Sequence, residues 1–171
     1  QLKSLTGDQM AALTTDQVVA IETADFRQLG ATQLQAMRAA QVSALTTDQV
    51  ASLRRTQVSG FGTDQIAALT TDQVQALTTD TLPGLSGTQI AALGTAQVQA
   101  LSTAQIVGLS NSQLAALAPE QVTALTTDQL AAFETSDMAS LNSTQIAALS
   151  TTQLTSLDNA HLSALSTSAI A

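Results

Sequence analysis

The chain has 171 residues and a formal net charge of −8, and only 11% of its residues are charged, against about 25% in average soluble domains. It contains no Cys, Trp or Tyr, which excludes disulfides, thiolate metal sites and thiol nucleophiles. All five basic residues lie at or before Arg55 and the last eight acids follow it, a balance that argues against binding to nucleic acids or anionic membranes.

An eight-residue repeat runs through the chain without insertion or deletion, and residues 45–52 (LTTDQVAS) show it clearly. Position 1 of the octad is large and apolar from Leu5 to Leu165, and position 6 is apolar from Leu2 to Ile170. Position 8 is almost always Ala, Ser or Gly. So regular a phase identifies a repeat protein.

Each octad carries the signals of a helix start. Position 2 is mostly Thr, Ser, Asn, Asp or Gly, which are the preferred N-cap residues, and position 5 is nearly always Gln, which completes a capping box. Asp is frequent at position 4, where it suits the helix dipole, and Pro119 stands at position 3, the first helical residue. The pattern predicts one helix per octad, from position 3 to position 8 or the next position 1.

Helices this short are stable only when they pack on neighbours, so we predict an all-α solenoid, with residues 1–171 forming a single array. Two sets of glycines suggest three or four helices per superhelical turn, because they recur every 24 and every 32 residues. The sets are Gly60, Gly84 and Gly108, and Gly30, Gly62 and Gly94. A β-solenoid is the alternative, since Thr and Val suit strands, but it leaves the capping boxes unexplained.

Residues 79–85 (TDTLPGL) depart from the repeat. Thr81 replaces the usual Gln, and Pro83 lacks the backbone N–H that a helix needs at this point. We therefore predict a local break near residues 79–85.

Three arginines occupy or flank cap positions in the first third of the chain, where they are solvated or pair with acids of another copy. They are Arg38, Arg54 and Arg55.

The residue types do not form a catalytic constellation. His161, the only His, occupies position 5 and is interpreted as a capping variant, since a single His supplies neither a catalytic triad nor a transition-metal site. The Asp residues at position 4 are interpreted as solvated helix starts, because the chain lacks the known calcium loops. We predict no enzyme activity, no catalytic, cofactor-binding or metal-binding residues, and no cofactor.

Residues 44–53 (ALTTDQVASL) and 116–125 (ALAPEQVTAL) resemble the Ala/Thr/Gln-rich octad tracts of large secreted bacterial surface proteins of the adhesin-like class. The resemblance extends over the whole chain and implies a structural role, secreted or at the cell surface. Residues 117–122 also resemble the opening helix of TAL-effector repeats. The second helix and base-reading residues of those repeats are missing here, so DNA binding is rejected.

The function expected from these observations is a structural segment of an extracellular filament, stalk or adhesin. Neither end shows a distinct polar cap, so we expect end-to-end self-association or continuation in a longer array. The alternative is a solenoid binding module for a protein, glycan or ice surface, presented by columns of Thr and Ser, with position 7 as the outward variable site. We expect neither nucleic-acid binding nor membrane insertion.

Overall fold

The computed structural model describes residues 2–165, in which every complete octad but one forms an α-helix of four to six residues. The helices are α1 Gly7–Ala12, α2 Thr15–Val19, α3 Thr23–Phe26, α4 Ala31–Gln35, α5 Ala39–Ser43, α6 Thr47–Ala51, α7 Arg55–Val58, α8 Thr63–Ala67, α9 Thr71–Ala76, α10 Gly87–Ala91, α11 Thr95–Ala100, α12 Thr103–Val107, α13 Asn111–Leu114, α14 Pro119–Ala124, α15 Thr127–Ala131, α16 Thr135–Met138, α17 Ser143–Ala147, α18 Thr151–Ser156 and α19 Asn159–Ala164. Two 3₁₀ helices, Leu2–Ser4 and Leu82–Gly84, complete the described elements.

Residues 2–165 contain no β-strand. The all-α prediction is therefore confirmed and the β-solenoid alternative is wrong. None of the described helices is long and apolar enough to cross a membrane. The octad positions of Ser166 and Ile170 lie outside the described residues.

The helix starts have the predicted capping geometry. At α6, Thr46 Oγ1 accepts a hydrogen bond from Gln49 N at 3.1 Å, and Gln49 Oε1 accepts one from Thr46 N at 3.0 Å. The same reciprocal pair begins the helices whose N-caps are Thr6, Thr14, Thr46, Thr70, Ser86, Ser102, Ser110, Thr126, Asn142 and Ser150. At Gly30 and Gly62, which have no side chain, only the half supplied by Gln forms. The predicted capping box is confirmed.

The chain divides into two compact units, Gln1–Leu85 and Ser86–Ala171. Within the first unit each helix packs against the third element after it, as α1 does on α4 and α6 on α9, and α7 packs on the 3₁₀ helix Leu82–Gly84. The second unit follows the same rule, from α10 on α13 to α16 on α19. Each unit is thus an all-α solenoid in which one coil consists of three octads. The prediction of one array over residues 1–171 stays a prediction.

This stacking confirms three helices per turn and shows that four is wrong. The spacing of Gly60 and Gly84 reflects the three-octad coil. A Cβ at Gly60 would lie 3.0 Å from Ala31 Cβ in the preceding coil. Gly30 and Gly62 are N-cap residues with extended backbone that any residue adopts. Their spacing therefore reports no packing constraint.

The core consists of positions 6 and 1, as predicted, and each coil covers the one before it. In the first coil, residues 5–28, the position-6 side chains of Val18 and Phe26 are fully buried. The position-5 side chains of Gln9 and Gln17 are exposed. In the last described coil, residues 141–164, the burial of the two positions is reversed. The position-5 side chains of Gln145 and Gln153 are buried. At position 6, Ile146 and Leu154 are only half-buried and Leu162 is 40% exposed. Position 5 thus faces the preceding coil, and position 6 faces the following one.

Residues 79–85 contain no α-helix. Thr81 N donates to Thr78 O at 3.0 Å, and the chain then forms the 3₁₀ helix Leu82–Gly84, which includes Pro83. Leu82 nevertheless keeps its place at position 6 and is fully buried. The octad therefore changes its local conformation while it retains the phase of the repeat.

Gly84 lies directly against the backbone of Arg55 in the preceding coil. A Cβ at Gly84 would lie 2.7 Å from Arg55 O and 3.1 Å from Arg55 Cα, so the backbone itself would have to move. We expect Gly84→Ala to lower the free energy of unfolding by about 1–2 kcal/mol, measured by urea denaturation. Gly62→Ala is the matched control, because its Cβ would meet only Gln65 Oε1 at 3.9 Å. Equal losses in both variants would contradict the role assigned to the close approach.

Candidate functional site

The position-5 glutamines join each coil to the preceding one. Gln73 Oε1 accepts from Thr70 N at 2.7 Å, while Gln73 Nε2 donates to Leu45 O at 2.7 Å and Val42 O at 3.0 Å. Both acceptors lie at the C-terminal end of α5, where Val42 O also accepts a hydrogen bond from Leu45 N at 3.1 Å. One buried amide therefore caps the start of its own helix and the end of a helix in the preceding coil.

This arrangement repeats with the same sequence offsets, 28 and 31 residues, in both units. The glutamines that donate at both offsets are Gln41, Gln49, Gln65, Gln73, Gln121, Gln129, Gln145 and Gln153. We call this set the glutamine column. Among the described residues, no buried side-chain nitrogen or oxygen lacks a hydrogen-bond partner. The column matters for stability because an unsatisfied buried polar group costs about 1–3 kcal/mol.

The octad pattern predicts the capping contact of this glutamine but not its coil-to-coil contact. A signal for it was nevertheless present in the sequence. A capping box accepts Glu as readily as Gln at position 5, yet no octad of this chain has Glu there. The preceding coil presents only carbonyl oxygens to this side chain, so a side chain with N–H donors is favoured, and a carboxylate has none at neutral pH.

His161 occupies the same slot, keeps the coil-to-coil contact, and pairs with the side chain of the N-cap Asp158 instead of its backbone N. Its backbone N donates to Asp158 Oδ1 at 2.9 Å, and its Nε2 lies 2.9 Å from Phe133 O, 28 residues earlier. Its Nδ1 lies 2.7 Å from Asp158 Oδ1, so a doubly protonated ring would donate to both oxygens. The hydrogen bond from His161 N, together with the one from its Nδ1, holds the pKa of Asp158 below its ordinary value. The interpretation of His161 as a capping variant is confirmed and extended.

Asp137 occupies the slot without a donor. The side chain is only 6% exposed, and its Oδ2 accepts a hydrogen bond from Glu134 N at 2.7 Å. Burial raises the pKa of Asp137, the Glu134 N–H lowers it, and the charge of Glu134 raises it further. Residues 28 and 31 positions earlier are Leu109 and Ile106, whose carbonyls a glutamine here would reach. Asp137 is therefore a weak point of the column.

The outer surface carries the predicted polar columns. Position-4 acids such as Asp48 and Asp72 are exposed, and so are position-7 residues such as Gln35 and Gln75, which confirms position 7 as outward-facing. Within the described residues, no group of three His, Asp or Glu side chains is placed to hold a metal ion. The expectations of no catalytic, cofactor-binding or metal-binding residue stay predictions.

Comparison with known proteins identifies the repeat itself. A family model described as the ALTTAQ repeat matches residues 18–55, 56–79, 79–111, 90–127 and 130–167. No curated protein matches the chain. The matches cover most of the sequence, and they include Gln41, Gln73 and Gln121 of the glutamine column. The chain belongs to the ALTTAQ repeat family.

Proposed function

We propose that this chain is a structural repeat segment, a scaffold extended by adding coils, of the kind that builds an extracellular filament, stalk or adhesin. The observation that carries the proposal is the glutamine column. Each coil offers carbonyls on one face and glutamine amides on the other, as α5 and Gln73 do. A fold with this property extends by repetition and does not depend on a special closing element.

The secreted or cell-surface setting rests on the resemblance of octads such as residues 44–53 to those of bacterial surface proteins. The composition fits a scaffold as well, because exposed Thr and Ser side chains are frequent and few charged groups are present. We place no catalytic step on this chain.

The proposal includes association end to end, because the two outermost described coils expose complementary halves of the coil-to-coil contact. In the first coil, Gln9 and Gln17 are exposed, and no described residue accepts a hydrogen bond from their amide nitrogens. In the last described coil, Leu162 is exposed, and no described residue donates to Leu149 O or Leu157 O. Glutamine amides of one copy would then bind carbonyls of the next, and apolar position-6 side chains would be buried between them.

The test is sedimentation velocity of residues 1–171 over a wide concentration range. We expect the average mass to rise with concentration, and Leu162→Lys to reduce this association about tenfold or more, because a charge would be placed in an apolar contact. Val107→Lys is the matched control, since Val107 is 50% exposed at position 7 on the side of its coil. A single species at all concentrations, or equal effects of both variants, would overturn end-to-end association.

The alternative function, a binding module, is favoured by one observation. Thr23, Thr47 and Thr71 are exposed at position 3 and recur once per coil within the first unit, so their hydroxyls form one column. Such a column suits an ordered surface such as ice or a crystalline polysaccharide. If sedimentation shows only single particles, binding to these solids becomes the deciding measurement.

A further inference from the structure

Three residues of the first unit that depart from the repeat, Arg54, Arg55 and Thr81, line one open cavity of about 430 Å³. Its lining includes three of the five basic residues of the chain, Arg27, Arg54 and Arg55, with Thr78, Asp80 and Thr81 opposite them. These residues belong to successive coils, so stacking brings together arginines that are 27 and 28 positions apart in the sequence.

The glutamine column is interrupted at this cavity. Thr81 replaces Gln, and its Oγ1 donates to Leu53 O at 3.0 Å and pairs with Thr78 Oγ1 at 2.8 Å. Thr is shorter than Gln and makes only one of the two usual coil-to-coil contacts. On the far side, the absence of a Cβ at Gly84 allows Arg55 to approach the 3₁₀ helix Leu82–Gly84.

The arginines are held in place by backbone oxygens. Arg54 Nη2 donates to Arg27 O at 2.8 Å, and Arg55 Nε donates to Asp80 O at 3.2 Å. A guanidinium has five N–H donors in a planar fork, so most of these donors remain available to a ligand. No arginine among the described residues lies within ion-pair distance of a carboxylate.

The charge of the cavity is unusual in so acidic a chain. The lining residues Arg27, Arg54, Arg55 and Asp80 carry a formal net charge of 3 − 1 = +2. A second cavity of similar volume, about 440 Å³, contains Arg38 and Asp64 and is neutral, 1 − 1 = 0. The two cavities therefore differ in charge and not in size.

We propose that the Arg27–Arg54–Arg55 cavity binds a phosphate or sulfate group, either as the free ion or carried on a small molecule such as a sugar. Guanidinium groups bind such tetrahedral oxyanions through paired N–H···O bonds. A group with two negative charges neutralises the +2 of the cavity. The site goes beyond the scaffold role and does not depend on it.

The test is an NMR titration of the chain with inorganic phosphate, sulfate and a hexose phosphate, at constant ionic strength maintained with sodium chloride. We expect saturable shifts of backbone amides at residues 54–57 and 78–81. A hexose phosphate that binds more tightly than inorganic phosphate identifies a carried group, and equal affinities identify the free ion. Shifts that rise linearly without saturation would overturn the proposal.

Two arginine variants form a matched pair. Arg54→Thr restores the common residue of position 2 and should weaken phosphate binding about tenfold or more, because charge-assisted hydrogen bonds are lost. Arg38→Thr makes the same substitution at the same octad position, where Arg38 Nη2 likewise donates to a carbonyl, Leu13 O at 3.1 Å. We expect its affinity to stay unchanged. Equal weakening in both variants would show general charge attraction and would overturn the site.

Thr81→Gln tests the cavity separately from the charge. The variant restores the glutamine of the repeat, so it should fold at least as well as the parent chain, as circular dichroism and urea denaturation would show. The longer side chain should replace the Thr81 hydroxyl at Leu53 O, narrow the cavity on this side and weaken saturable phosphate binding. A folded Thr81→Gln chain with the parent affinity would show that the ligand does not occupy this cavity.

Discussion

Gln73→Glu is expected to lower the free energy of unfolding by about 3–5 kcal/mol, the cost typical of leaving a buried charge without its partner. The substitution keeps the size of the side chain and its capping of Thr70 N. It removes the Nε2 donor and places a carboxylate against Leu45 O and Val42 O, which lie 2.7 and 3.0 Å from Nε2 in the parent chain. Urea denaturation followed by circular dichroism measures the loss.

Gln17→Glu is the matched control for this prediction. Gln17 Oε1 accepts from Thr14 N at 2.8 Å, which is the same capping contact, but Gln17 is exposed because it lies in the first coil. A carboxylate at a helix start is favourable, so we expect a change within about 0.5 kcal/mol. If both variants lost the same stability, position 5 would act in local capping alone and the coil-to-coil role would be refuted.

The local fold could be predicted because each octad carries its own signals. Thr46 and Gln49 specify a helix start by their spacing alone, and Val50 and Leu53 share a helix face because they are three residues apart. These relations lie within one octad or between neighbours. No knowledge of the stacking is needed to read them from the sequence.

The stacking itself could not be derived in the same way. In a strictly periodic sequence every octad resembles every other, so the pattern does not reveal which octad lies above which. The contact of Gln73 with Leu45 and the meeting of Arg27 with Arg54 both depend on the three-octad coil. The steric requirement at Gly60 and Gly84, where a Cβ would meet the preceding coil, is a sequence signal of that period.

Asp137→Gln is the opposite experiment, because it repairs the glutamine column. The new Nε2 would donate to the carbonyls of Leu109 and Ile106, and the buried carboxylate would be removed. We expect the free energy of unfolding at neutral pH to rise by about 2 kcal/mol, since two hydrogen bonds are gained at about 1 kcal/mol each. Asp25→Gln is the control, because Asp25 is an exposed position-5 acid in the first coil and should change stability little.

The pH dependence separates the charge of Asp137 from its missing donor. Because the Asp137 pKa is raised above its ordinary 3.8 by burial, the folded chain binds this proton more tightly than the unfolded chain. The charged carboxylate therefore destabilises the fold fully at neutral pH. This cost decreases as the pH falls through the folded-state pKa and vanishes below 3.8.

The stability difference between Asp137→Gln and the parent chain should consequently narrow as the solution is acidified towards pH 3.8. Asp137→Asn adds a second comparison, since Asn removes the charge but is too short to reproduce the Gln contact. If Asn recovers most of the gain, the buried charge is the main defect at this position. If only Gln recovers it, the missing donor to the preceding coil is the defect, and the glutamine column itself is the source of the stability. A gain in neither variant would contradict both explanations.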